Sequence, residues 1–229
     1  MRTAILSDIH GNLPAFEAVL ADVEHAAPDQ VWCGGDLAWA GPWGAECVSV
    51  VRDRGWPTVR GNTDVWITGD AQGIDGAEER AEVEALAAAH ELSEDDRRWL
   101  LGLPLGHTGP GSILMVHGTP ASPFDAPMPD GAPAEFEPYE NQGTLVVYGH
   151  IHRAFMRRLA GGTIVANSGS VGLPMDGDTA CYLIVDRHGP ELTLMHRRVP
   201  FDTAAGIERA RSIGGPVGRR WLELMEAGG

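Results

Sequence analysis

The chain has 229 residues, 43% of them hydrophobic, and a formal net charge of -15. The length suits one large domain, and so acidic a surface repels a polyanion, which argues against binding to duplex nucleic acid. All 17 Lys+Arg positions are arginine, so a Walker-type or kinase-type lysine and Schiff-base chemistry are excluded as well.

The first run, Thr3-Ala4-Ile5-Leu6-Ser7, predicts a buried strand ending at Asp8-Ile9-His10. It is too short for a signal-peptide hydrophobic region, and no apolar stretch approaches the roughly 20 residues of a membrane span. A cytoplasmic protein without a membrane partner is expected. Asn12-Leu13-Pro14 predicts a capped helix with Phe16, Val19, Leu20 and Val23 on one face. A strand at Gln30-Val31-Trp32-Cys33 stops at Gly34-Gly35-Asp36, a helix covers 46–51, and Thr58-Val59 is a short strand leading into Arg60-Gly61-Asn62-Thr63-Asp64. Strand, helix, strand, helix, strand in that order predicts a parallel sheet with helices on its faces.

Residues 77–101 are helical in character and form an insertion, with Ser93 capping their second piece. Ile113-Leu114-Met115-Val116 predicts a strand that delivers His117, and 119–141 reads as a loop or lid. Thr144 to Tyr148 delivers Gly149-His150-Ile151-His152. Runs at 153–159, 163–166, 180–185 and 191–196 then predict a second, antiparallel sheet, and a last helix spans about 219–226. No linker divides the chain. Cys33, Cys47 and Cys181 form no CxxC pair and are expected as reduced, buried thiols.

Asp8, His10, Asp36, Asn62, His117, His150 and His152 all stand where apolar runs give out. Two carboxylates, one amide and four imidazoles are hard or borderline metal donors, too many for one four-coordinate ion. Asp8 with His10, and His150 with His152, stand two apart and would project on one side of an extended segment. Asp36 has two oxygens with which to bridge two cations. Any one of these residues alone is better explained as a cap or a core histidine; the ordered set is not.

DxH (Asp8, His10), GD (Gly35-Asp36), GNxD (Gly61, Asn62, Asp64), a lone His117 after a strand and GHxH (Gly149, His150, His152) occur in that order. In this the chain resembles the calcineurin-like metallophosphoesterase superfamily. Gly41-Pro42, Glu46-Cys47, 167–174 and Val199-Pro200-Phe201-Asp202 are similar to its small bacterial phosphodiesterase branch. The resemblance implies an α/β fold of two packed β-sheets flanked by helices, a four-layer α-β-β-α sandwich, in a single domain over 1–229. It also implies two divalent metal ions, manganese first, with iron, zinc or nickel as alternatives. The first would be held by Asp8, His10, Asp36 and His152, the second by Asp36, Asn62, His117 and His150. The implied reaction is hydrolysis of a small phosphodiester, a hydroxide bridging the ions attacking phosphorus in line.

Asn62 and Asp64 are the expected catalytic residues, and Asn62, Thr63 and Trp39 the expected substrate contacts. Many members of the family carry histidine where this chain has Thr63; that histidine is read as protonating the leaving group, and Asp64, which would orient it, is kept. Threonine is a poor general acid, which favours leaving groups that depart unaided. Phosphomonoester or dinucleoside-polyphosphate hydrolysis is the alternative within the family, and a non-catalytic scaffold the alternative outside it. A homo-oligomer is compatible with the sequence.

Overall fold

In the computed structural model, which describes residues 1–227, two β-sheets lie face to face. Residues 228–229 of the expected 1–229 domain lie outside the described residues. The first sheet contains β1 (Arg2–Leu6), β2 (Gln30–Cys33), β8 (Ala180–His188) and β9 (Glu191–Val199), ordered β2-β1-β8-β9. The second contains β3 (Gly106–Gly109), β4 (Ile113–Val116), β5 (Leu145–Tyr148), β6 (Phe155–Arg158) and β7 (Ile164–Asn167), ordered β3-β4-β5-β7-β6. β1 runs parallel to β2, and β5 parallel to both β4 and β7. The other pairings are antiparallel, so both sheets are mixed.

This corrects the expected division into an N-terminal parallel and a C-terminal antiparallel sheet. Ala180–Val185 is buried on both faces. A strand apolar on both sides belongs inside a covered sheet, and β8 accordingly lies between β1 and β9. The strand expected at Thr58-Val59 shrinks to one bridge from Thr58 to Cys33. The preceding Pro57 has no N–H with which to extend a ladder.

Side-chain alternation sorts the layers. Ile5, Leu183 and Val185 of the first sheet meet Ile113, Met115, Leu145 and Val147 of the second in the inter-sheet core. Ala4, Leu6, Tyr182 and Ile184 point the other way, into the core shared with α1 (Leu13–Ala26) and α2 (Gly44–Arg54). The outer face of the second sheet packs Val116, Val146 and Tyr148 against Phe136 and Tyr139. Those two aromatics belong to a 3-10 helix, Pro133–Tyr139, inside the stretch expected as a loop or lid. Both are fully buried, so this part of the stretch covers the sheet. The fold is α/β, two packed sheets flanked by helices.

Short α3 (Asn62–Trp66) starts on a predicted donor residue. α4 (Ala77–Ala89) and α5 (Glu94–Leu101) occupy the predicted helical stretch, Ser93 accepting from Asp96 N at the start of α5. α6 (Thr203–Ile213) was not expected, although Asp202 caps it by accepting from Ala204 N and Ala205 N. α7 (Gly215–Ala227) begins earlier than the predicted 219. Among the described residues no helix is long and apolar enough to cross a membrane.

Candidate metal centre

β1 and β2 run parallel, so their carboxyl ends deliver Asp8, His10 and Asp36 to one edge of the first sheet. β4 and β5 do the same for His117, His150 and His152 at the second. Asn62 enters from the start of α3. The seven predicted donors thus converge from five separate stretches of chain. All are buried except His150, which is partly so.

The backbone that brings them there is not extended. Asp8, His10, Asp36, His150 and His152 have φ of 58°, 49°, 56°, 66° and 57°, in the left-handed region. The expected same-side projection from an extended segment is therefore corrected, although both pairs still reach one cluster. Left-handed backbone costs a non-glycine residue about 1 kcal/mol or more, and strain of this kind collects at functional sites. Close approach explains the flanking Gly61, where a Cβ would collide with the Asp36 carboxylate.

Asp8, His10, Asp36 and His152 offer ligand atoms that all lie within 4.8 Å of one another. His152 Nε2 is 3.2 Å from Asp8 Oδ1 and 3.0 Å from His10 Nε2. In the other half, Asn62 Oδ1 is 2.9 Å from His117 Nε2 and 2.9 Å from His150 Nδ1. Asp36 Oδ2 joins the halves, 3.5 Å from His10 Nε2 and 3.4 Å from His117 Nε2.

Backbone carbonyls orient three of the imidazoles. Nδ1 of His10, His117 and His152 faces the carbonyls of Trp39 (3.1 Å), Gly34 (2.8 Å) and Leu173 (2.7 Å). Each Nδ1–H donates there, which leaves the Nε2 lone pair turned to the cluster, the arrangement a metal-ligating histidine requires. Asp8 Oδ2 is buried with no hydrogen-bond partner, and His10 Nε2 and His152 Nε2 then oppose two lone pairs. A divalent cation satisfies all of these atoms, so the donor set fits the metals that the resemblance implies.

The electrostatics point the same way. Burial works to raise Asp36, but His117, His10 and His150 outweigh it and hold the carboxyl far below the usual range. Asp8 is likewise lowered, its burial overcome by His152. Burial opposes the charging of His117, yet Asp36 pushes it up to about 10. Burial and the neighbouring His152 bring His10 down to about 4. Two ionised carboxylates in a dry pocket draw positive charge to themselves.

Asp64, expected to orient an acid, accepts from three backbone N–H groups beside the cluster. It is fully buried, its Oδ2 accepting from Asp36 N at 2.9 Å and Gly61 N at 2.8 Å, its Oδ1 from Leu37 N at 2.9 Å. It ties down the loop that carries Asp36. Burial, with Asp36 nearby, raises it to about 6. Thr63 and Trp39 both line the cleft. Thr63 donates its backbone N–H to Asp36 Oδ1 at 2.9 Å, and its buried Oγ1 has no partner. Trp39 is packed edge-on to Trp66 and stacked on His90.

Ser170, within 167–174, has a structural role. Ser170 Oγ donates to Asp8 O, and Leu173 N donates to Ser170 Oγ, fixing the segment that holds His152. Sequence reasoning missed Arg220 and Leu224 of α7, which also line the cleft. The only signal was the amphipathic spacing of Trp221, Leu224 and Met225.

The sequence model of the calcineurin-like phosphoesterase superfamily domain matches residues 1–189. An uncharacterized protein of Methanocaldococcus jannaschii is 27% identical over 226 residues, 90% of each chain. A symmetrical bis(5'-nucleosyl)-tetraphosphatase of Actinobacillus pleuropneumoniae is 31% identical over 108 residues, 46% of this chain and 40% of that protein. The crystal structure of a metallophosphoesterase from Sphaerobacter thermophilus superposes with a TM-score of 0.76 at 27% identity, covering 97% of this chain and 99% of its own.

Proposed function

The chain belongs to the calcineurin-like phosphoesterase superfamily, and on that premise we propose that it is a cytoplasmic hydrolase of small phosphodiesters that works with two divalent cations. Asp8, His10, Asp36 and His152 would hold one cation, and Asp36, Asn62, His117 and His150 the other. Manganese is the first candidate, with iron, zinc and nickel also suited to mixed oxygen and nitrogen donors. The carrying observation is the Asp36 carboxylate, one oxygen of which lies within 3.5 Å of an imidazole from each half. When bound, such a pair of cations acidifies water and withdraws charge from phosphoryl oxygens.

The protein's own groups do the rest. Carbonyls of Trp39, Gly34 and Leu173 keep three imidazoles in one tautomer. Asp64 holds the Asp36 loop through three backbone N–H groups. Asn62 directs Oδ1 at two histidines, which leaves Nδ2 to donate to a phosphoryl oxygen. Thr63 brings a hydroxyl with no protein partner and no titratable proton near neutral pH. A basic alkoxide would leave poorly from such a site; a stabilised leaving group would not.

One observation favours a second substrate. The similarity to a symmetrical tetraphosphatase supports dinucleoside polyphosphates, whose phosphate leaving groups also need no strong acid. The test loads the purified protein with manganese and assays aryl and nucleotide diesters, dinucleoside polyphosphates and monoesters. Metal-dependent turnover of diesters above monoesters is expected. Turnover confined to monoesters refutes the diester preference. No turnover on any member, with no metal retained by elemental analysis, refutes the enzyme.

A further inference from the structure

Beside the donor cleft, about 190 Å³ in volume, lies a larger cavity of about 810 Å³. The two adjoin, with Leu173, Met175 and Leu224 lining both. Phe201, Ile207 and Met225 complete the apolar part of the wall, and Arg153, Asp178 and Thr203 are polar. Met175 is 53% exposed. One exposed methionine means little, but here it belongs to a contiguous apolar surface that opens onto a polar site. Phe201, Ile207, Leu224 and Met225 lie beyond residue 189, where the match to the shared family domain ends. This wall lies largely outside the matched family domain and suits a part of the substrate that does not react.

Placement says which part. Leu173 holds His152 through its carbonyl, so the cavity adjoins the His10–His152 half. Thr63, which stands where a leaving group would be protonated, follows Asn62 of the other half. We propose that the cavity holds the second organic group of a phosphodiester, the one that stays on phosphorus, and that this group is bulky, apolar and aromatic. The proposal rests on the phosphodiester function above. The thioethers of Met175 and Met225 and the ring of Phe201 are good partners for an aromatic face. A reacting monoester has its one organic group in the leaving position, so the cavity gives a diester an anchor that a monoester lacks. Hydrolysis then breaks the bond to the outer alcohol and leaves an aryl monoester seated in the cavity.

The test keeps p-nitrophenolate as the leaving group and changes only the retained group from methyl to phenyl to 2-naphthyl. With manganese loaded, kcat/KM is expected to rise at least about 10-fold from methyl to naphthyl, mainly through KM. Ile207→Glu in α6 and Leu224→Glu in α7 should bring the naphthyl-to-methyl ratio near one, two variants guarding against a local folding defect. Independently, 2-naphthol should bind the metal-free protein saturably by its own fluorescence, and the same variants should abolish that binding. A flat ester series despite robust turnover overturns the cavity proposal and leaves the diesterase standing. If no ester is hydrolysed, the diesterase fails, and naphthol binding still decides the cavity: saturable and variant-sensitive binding supports an apolar site, non-saturable binding overturns it.

Discussion

The donor cluster and the wall built by α6 and α7 share one cleft and are made in opposite ways. Every donor ring or carboxylate is tied, by a backbone carbonyl, a backbone N–H or another donor, and almost all are buried. The wall carries Ile207, Leu224 and Met225, partly exposed and packed without such ties. Reaction chemistry tolerates little displacement of its groups, whereas binding an apolar group requires only shape and dryness. The difference separates the donor cluster of the matched family domain from the two helices that follow it.

The largest effect should follow from removing the charge that joins the two halves. Asp36→Asn keeps the shape and the acceptor for Thr63 N, but not the anionic oxygen between His10 and His117. Turnover should fall by roughly 10³-fold or more, with at least one equivalent of metal lost on elemental analysis. Unchanged metal content and rate would mean that Asp36 is a structural acid.

A second effect lies behind the cluster, where His90 stacks on Trp39, whose carbonyl holds His10. Burial, helped by Arg97, brings His90 down to about 4 from an ordinary 6.5. Between those values the unfolded chain binds a proton that the folded chain refuses. Stability from this group is full above pH 6.5 and falls with acidification until about pH 4, by about 3 kcal/mol in total. His90→Phe keeps a ring against Trp39 and removes the titration. Urea midpoints at pH 7 and 5 should differ by less in the variant; equal slopes would show that His90 charges freely.

Much of the cluster was legible because strand ends in an α/β fold share an edge, so donor motifs in chain order become neighbours in space. Carbonyl partners were not legible, since a carbonyl looks alike at every residue. Nor was the left-handed backbone at Asp8 or His152, which the spacing alone renders as extended. Asp64 was assigned by its motif to an acid that this chain lacks, while its actual duty, three backbone N–H groups, leaves no mark on composition. β8 was recognised as a strand but given to the wrong sheet: pairing partners follow from burial on both faces, which appears only when the sheets assemble. The C-terminal wall had no motif to find, only apolar spacing.

A third prediction restores what Thr63 lacks. Thr63→His puts an imidazole at the cleft in a buried position whose backbone already donates to Asp36. Turnover of monoesters with alkoxide leaving groups should rise 10- to 100-fold, roughly the lower part of what general acids contribute, while p-nitrophenyl esters change little. An equal rise for both would point to binding instead of protonation.

The smallest effect separates a cation at the cleft from the apolar surface of the wall. Arg220 lines the cleft from α7, half exposed, with Glu223 Oε2 at 3.6 Å one turn on. A guanidinium in that position attracts an anionic ester through solvent, so its contribution is modest and screened by salt. Arg220→Ala should raise KM about 3-fold at low ionic strength and leave kcat within about 2-fold, as expected of uniform binding. Glu223→Gln should do the reverse, lowering KM by freeing the same cation. Both changes should shrink together in about 0.5 M salt, where the screening length falls well below 8 Å. If Glu223→Gln raises KM instead, the pair acts by holding α7 in place, and Arg220 belongs with the packing of the wall. If both behave as charges, the wall has two separable parts, a screened cation that gathers the phosphodiester and an apolar surface that sorts it, and only the second should respond to the size of the retained group.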